Sequence, residues 1–206
     1  MPTAAATIRG TTISDNTVRS SNLLGDAQAT SGGIDDDGSL LLVDSRVVRN
    51  RVVASVPASS GYLAGAVFGG IEIQGTATIR NSSISGNLLN ATSLTGAANA
   101  AGGGIGNLSG HVTLARTRVI GNRAIATGIS GLALGGGILN VAFAGGAPEL
   151  ALTNAVVTAN VLTASPGITP QGGGMYTADI FSGEPFPVTL TRTAIAGNRP
   201  DQCFGC

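Results

Sequence analysis

The 206-residue chain has no Lys and no Trp, one His, two Cys, two Tyr and five Phe, and only 11% of its residues are charged. Each shortage narrows the function. Eleven basic and eleven acidic residues cancel to zero. The chain as a whole therefore lacks the basic excess that a nucleic-acid partner or an anionic membrane surface needs. With so few aromatics, the stacking platforms of sugar- and base-binding sites are mostly missing. Two Cys and one His fall short of the four ligands of a structural zinc site. All basic residues are Arg, which reads as codon usage in a GC-rich genome rather than as chemistry. No Gly-x-Ser-x-Gly elbow, phosphate loop or His-Glu-x-x-His motif occurs. Met1 to Arg9 lacks the basic region and long apolar run of a signal peptide.

One uncharged run, Ala124 to Pro148, is long enough to cross a bilayer. It contains Gly135-Gly136-Gly137-Ile138 in phase with a repeat described below, and also Thr127, Ser130 and Asn140. It reads as a loop plus a buried strand, with no membrane span.

What the chain does have is an eleven-residue block written six times. The blocks end at Asn16, Asn50, Asn87, Asn122, Asn160 and Asn198. A drifting period of about 35 residues is the mark of a solenoid with loops of variable length. Ten places before the Asn sit Ala6, Leu40, Ala77, Val112, Leu150 and Val188. Eight places before it sit Ile8, Leu42, Ile79, Leu114, Leu152 and Leu190, and three before it Ile13, Val47, Ile84, Val119, Val157 and Ile195. The step of two is the strand period, in which alternate side chains share a face. The jump of five breaks that phase, so a turn lies there, at Asp44-Ser45, Asn81-Ser82, Arg116-Thr117 and Asn154-Ala155.

A Gly-Gly-Ile or Gly-Gly-Met triplet (Gly32 to Ile34, Gly69 to Ile71, Gly103 to Ile105, Gly136 to Ile138, Gly173 to Met175) precedes five of the blocks. It predicts a third short strand, with the paired Gly supplying a positive-φ turn or a close approach between coils. The stretches 17–31, 51–68, 88–102, 123–135 and 161–172 are expected to be loops. The Asn column is open to two readings: a ladder of amides about 4.8 Å apart, or a tolerant left-handed residue. The expected fold is all-β, a right-handed single-stranded parallel β-helix of five to six coils over residues 1–198, with a Cys-containing tail at 199–206. An isolated coil cannot bury its own apolar face, so stacking must stabilise it. Residues 3–16 already read as the second half of a coil. The chain is thus expected to begin inside the solenoid, its start either truncated or mis-called, or capped by a preceding segment of a larger chain.

The succession of Gly103-Gly104-Ile105 and Val112-Thr113-Leu114, with Ile84-Ser85-Gly86-Asn87, resembles bacterial right-handed parallel β-helix repeat proteins of pectin-lyase-like architecture. The ending Asn198-Arg199-Pro200-Asp201-Gln202-Cys203 is similar to the ends of secreted actinobacterial members. The resemblance covers nearly the whole chain and is specific for architecture. That architecture hosts lyases, hydrolases and adhesins alike.

Chemistry-bearing groups are few. Asp35 and Glu72 follow the Gly-Gly-Ile triplet on consecutive coils, so stacking would set their carboxylates roughly 5 Å apart. That is the separation of a retaining glycosidase pair, and these two are the catalytic candidates. A lyase site would also want a basic proton acceptor beside them, and Arg46, Arg49 and Arg51 fall on other strands. Asp35, Asp36 and Asp37 are calcium candidates, against the plain alternative of a solvated turn. No other cofactor is expected. Cys203 and Cys206 are disulfide candidates, a pairing that fits a secreted or cell-surface protein. Two partial Arg columns suit either an acidic glycan or solvation. His111 has no acidic partner predicted in its column, and Tyr62 and Phe68 read as apolar cover. Outward Thr7, Thr78, Thr113 and Thr189 suggest an ice-binding array, broken by Leu41 and Ala151. The leading function is a non-catalytic extracellular scaffold that binds carbohydrate or a surface partner. The alternative is a polysaccharide lyase or glycoside hydrolase.

Overall fold

The computed structural model describes residues 4–57, 61–142 and 146–206. The described residues form no helix, and every sheet pairing is parallel. Each turn of the chain lays down five strands, where the repeat pattern predicts three. The first turn holds β1 (Ala5–Arg9), β2 (Thr12–Ser14), β3 (Thr17–Ser21), β4 (Ala27–Thr30) and β5 (Ile34–Asp36). The second holds β6 (Ser39–Val43), β7 (Arg46–Val48), β8 (Arg51–Val56), β9 (Ala64–Val67) and β10 (Ile71–Ile73). The third holds β11 (Thr76–Arg80), β12 (Ser83–Ser85), β13 (Leu88–Ser93), β14 (Ala97–Ala101) and β15 (Ile105–Leu108). The fourth holds β16 (His111–Ala115), β17 (Arg118–Ile120), β18 (Arg123–Thr127), β19 (Ser130–Leu134) and β20 (Ile138–Val141). The fifth holds β21 (Glu149–Thr153), β22 (Val156–Thr158), β23 (Val161–Ala164), β24 (Pro170–Gln171) and β25 (Met175–Thr177). A partial turn follows, with β26 (Val188–Thr191), β27 (Ala194–Ala196) and β28 (Cys203–Phe204). The result is a β-solenoid of about five turns, with equivalent strands stacked into five sheets. They are numbered here 1 to 5 after the strands of the first turn.

The three aliphatic columns form three inner rows. In sheet 2 the register runs Ile13, Val47, Ile84, Val119, Val157, Ile195 without a break. In sheet 1 the rows headed by Ala6 and Ile8 run equally to Val188 and Leu190. These rows and the Ile or Met of sheet 5 make one aliphatic core. The expected turn between sheets 1 and 2 is a left-handed residue at Asp44, Asn81, Arg116, Asn154 and Arg192. Asn and Asp adopt that conformation at little cost, while Arg there carries a genuine backbone penalty.

The paired Gly are a close-approach device and not the positive-φ turn. A Cβ on Gly69 would strike the Gly103 carbonyl, and one on Gly70 the Gly104 carbonyl. The positive φ falls one residue earlier, at Ser31, Phe68, Gly102, Gly135 and Gly172.

The Asn column is a ladder. Asn87 Nδ2 donates to Asn122 Oδ1 at 2.9 Å and to the Val47 carbonyl at 3.1 Å, while its backbone N–H donates to the same Asn122 Oδ1 at 3.1 Å. The pattern repeats at Asn50, Asn122 and Asn160. Gln202 ends it: Oε1 accepts both the backbone N–H and Nδ2 of Asn198, at 3.0 and 3.2 Å. The left-handed residue is the one before the Asn, as at Asp15, Arg49, Gly86 and Gly121.

The five stretches expected to be loops form sheets 3 and 4, bar their short connections. Their inner positions are mostly Ala. One column runs Ala54, Ala91, Ala126, Ala164, and another Ala29, Ala66, Ala100, Ala133. These two sheets pack against each other through a second core of Ala with a few Val, Leu and Ile. Cα atoms of β4 and β8, of β9 and β13, and of β14 and β18 approach within 8 Å. Facing sheets ordinarily sit about 10 Å apart, so the small inner side chain permits the closer packing. The tube therefore has a wide aliphatic lobe bounded by sheets 1, 2 and 5, and a thin lobe made of sheets 3 and 4.

Candidate functional site

Where the thin lobe meets sheet 5, outward residues of sheets 4 and 5 turn toward one another. Val67, Ala101 and Leu134 of sheet 4 cluster with Leu108, Leu139, Val141, Tyr176 and Phe204 of sheet 5. The ring of Phe68, 6% exposed, covers Gly106, where any Cβ would collide with it. Phe68 is the apolar cover expected of it, while Tyr62 stays partly exposed. The Tyr176 and Phe204 rings stack with centroids 5.1 Å apart.

Asp35 and Glu72 occupy the first two positions of the same outward row. The register runs Asp35, Glu72, Gly106, Leu139, Tyr176, Phe204. The predicted stacking of the two carboxyls on neighbouring coils thus holds in the backbone pairing. Asp35 is exposed, but Glu72 is only 7% exposed. The Ser31 hydroxyl donates to Glu72 Oε2, and Gln74 Nε2 donates to Oε1 at 3.2 Å. Burial chiefly, with the charges of Asp35 and Asp37 added, raises the Glu72 carboxyl above its ordinary 4.5, against the hydrogen bonds from Ser31 and Gln74. Burial and the charge of Asp37 raise Asp35 as well.

Asp36 faces the opposite way. Strand alternation puts it in the inner row with Ile73, Asn107, Asn140 and Thr177. The amides of this row form a short second ladder, with Asn107 Nδ2 donating to Asn140 Oδ1 at 2.7 Å and Asn140 Nδ2 to Thr177 Oγ1 at 2.9 Å. Asp36 stands outside that ladder, because Ile73 separates it from Asn107. Its Oδ1 accepts the Gly38 N–H at 3.3 Å, and its buried Oδ2 has no partner among the described residues. Burial raises its pKa, as expected for a carboxyl that is hard to ionise there. Of the calcium candidates, Asp35 and Asp36 accordingly point to opposite sides of β5, and Asp37 lies just beyond its end. Among the described residues no group of three or more His, Cys, Asp or Glu is placed to hold a metal ion.

Cys203 and Cys206 are joined as a disulfide. The segment holding them docks onto the end of the tube. Asp201 accepts the backbone N–H groups of Gly172 and Gly173 at 3.2 and 2.9 Å, and β28 adds to sheet 5 beside β25.

His111 does have an acidic partner, contrary to expectation. It pairs in register with Glu149, and Nδ1 lies 2.9 Å from Glu149 Oε2. Both side chains are largely exposed. The pair follows from the repeat, since each residue stands one place before the first aliphatic column. The Arg residues fall on sheets 1, 2 and 3 and on the turns, with Arg9 and Arg80 in one row of sheet 1. Arg49 forks onto Asp15, with Nε and Nη2 at 2.8 and 2.7 Å from its two oxygens, which holds Asp15 below the usual carboxylate range. Ser31 and Gln74 at Glu72, and Gln202 at the ladder's end, carry no signal in the block pattern. Ser31 lies a full coil before Glu72, and Gln202 lies beyond the last block. No helix among the described residues is long and apolar enough to cross a membrane. Comparison with protein-family models, with curated proteins and with solved structures finds no match to the chain.

Proposed function

We propose that the protein is a non-catalytic extracellular or cell-surface scaffold that binds carbohydrate or another surface partner along its length. The observation that carries this reading is the row order of the outer walls. On sheet 1 the outward row is Thr7, Leu41, Thr78, Thr113, Ala151, Thr189, and on sheet 2 it is Thr12, Arg46, Ser83, Arg118, Val156, Ala194. Side chains repeating about every 4.8 Å on a hydrogen-bonded frame, short on most rungs and Arg at Arg46 and Arg118, make a stiff, regular wall suited to an extended partner. Secretion is part of the proposal, supported by the Cys203–Cys206 bond, because disulfides persist in oxidising compartments. So is the finer kinship with pectin-lyase-like proteins of actinobacterial type, which rests on the repeat motifs.

The second reading is a carbohydrate-active enzyme. It draws on the Asp35–Glu72 stacking and on the raised pKa of both groups. Against it, Glu72 is sealed beneath Ser31 and Gln74, and sheets 4 and 5 bring no Arg or Lys to the row. One experiment separates the two: incubation with uronic-acid and neutral polysaccharides, with and without calcium, following chain cleavage and retention together. Retention without cleavage is the expected result. Cleavage that disappears in Glu72→Gln would replace the scaffold reading with the enzyme.

A further inference from the structure

The charges that cancel over the chain do not cancel over its surface. Sheets 2 and 3 and the turns joining them carry six of the eleven Arg, with a seventh, Arg199, bridged to Val161 of β23, and a single acid, Asp15. That acid is bound to Arg49. Sheets 4 and 5, with their turns and the C-terminal segment from Asp201, carry eight of the eleven acids and no Arg. One side of the tube is therefore strongly basic.

Within the basic side, four Arg form a regular quartet. Register places Arg46 and Arg118 in one outward row of sheet 2, with Ser83 between them. Arg51 and Arg123 stand in one outward row of sheet 3, with Leu88 between them. On these two sheets the second and fourth turns are thus cationic, and the third, carrying Ser83, Ser85 and Gly86, is neutral. Cations on alternate rungs lie about 9.6 Å apart, roughly one disaccharide of an extended glycan. All four side chains are exposed, and among the described residues none forms an ion pair. The guanidinium fork favours bidentate capture of carboxylate, sulfate or phosphate oxygens. No aromatic stands on these two sheets, so neither a nucleobase nor the face of a neutral sugar has a platform to stack on.

Resting on the scaffold reading above, we propose that sheets 2 and 3 bind a linear polysaccharide carrying one anionic group per disaccharide. Arg46 and Arg51 hold one anionic group, Arg118 and Arg123 the next, and the neutral rung accommodates the uncharged sugar between them.

The test is retention of the intact protein on immobilised hyaluronate, which carries one carboxylate per disaccharide, with neutral dextran and single-stranded DNA as comparison matrices. Retention is expected on hyaluronate at low salt, falling steeply as salt rises, with none on dextran. The quadruple variant R46Q/R51Q/R118Q/R123Q should lose about tenfold or more in affinity with an unchanged thermal midpoint. R9Q/R80Q, on sheet 1, should bind as the parent does. Absence of retention, retention indifferent to the quartet, or equal retention on single-stranded DNA each overturns the proposal. So does salt-sensitive self-association that depends on the quartet without retention on hyaluronate. Failure to bind leaves the scaffold reading standing, because other walls remain available. Shortening of the hyaluronate would instead sink the scaffold reading itself.

Discussion

The two lobes of the tube obey one period and differ in the size of what they bury. Around sheets 1, 2 and 5 the inner positions are mostly Leu, Ile and Val, with one polar row on sheet 5, and the sheets stand far enough apart to enclose them. Between sheets 3 and 4 the inner positions are mostly Ala, and the sheets close up until Cα atoms of facing strands lie within 8 Å. Hydrophobic stabilisation scales with apolar area removed from water, so the wide lobe carries most of it per coil. The thin lobe gains from close packing and from ladder hydrogen bonds, with little side-chain entropy lost by Ala on burial. Sheet separation here follows side-chain volume, while strand order follows the repeat.

The predictions probe that contrast from both sides. The largest effect is expected from opening a hole in the wide lobe. Leu114→Ala, at a fully buried site, should cost about 3–4 kcal/mol in denaturant unfolding. Next comes filling the thin lobe: Ala98→Leu, also fully buried, should cost about 2–3 kcal/mol because the facing backbone leaves no room. A neutral Ala98→Leu would show that the two sheets can part, and would remove the distinction between the lobes.

A smaller, pH-dependent effect belongs to the junction of the lobes. The Glu72 carboxyl is raised chiefly by burial. Its stabilising contribution is therefore complete below the ordinary carboxylate value and is lost as pH rises through the raised one. Glu72→Gln should melt above the parent at neutral pH, with the gap closing as the pH falls to about 4. A gap that widens on acidification would reverse the assigned direction. Smallest of all, Arg46→Gln and Arg118→Gln on the outer wall should leave stability within about 0.5 kcal/mol.

The wide lobe was legible in the sequence and the thin one was not, for the same physical reason. Ile13, Val47, Ile84, Val119, Val157 and Ile195 stand out because an aliphatic residue next to Ser, Thr or Arg gives strong contrast at the strand period. Ala98 and Ala100 flank Asn99 in the same alternation, yet Ala differs little from Ser or Gly in hydrophobicity, so β14 reads as loop. The stacking of Asp35 on Glu72 followed directly from the Gly-Gly-Ile register. The sealing of Glu72 did not, because Ser31 reaches it from the preceding turn of the solenoid. The positive-φ residue was displaced by one place, since Ser31 and Phe68 are not residues that advertise a left-handed backbone. The inward position of Asp36 was readable from alternation alone, but the run Asp35-Asp36-Asp37 drew attention to charge instead of side.

Gln202 has a consequence for assembly. Each ladder Asn hands two donors to the amide oxygen of the following rung, so the chain of amides is directional, and any copy docking end-on would have to supply that oxygen. Gln202 already supplies it to Asn198 from within the same molecule. The side chain thereby closes the amide row at that end: an end-on copy would find the acceptor position of the ladder already filled, with the edges of β26 and β27 still open to pairing.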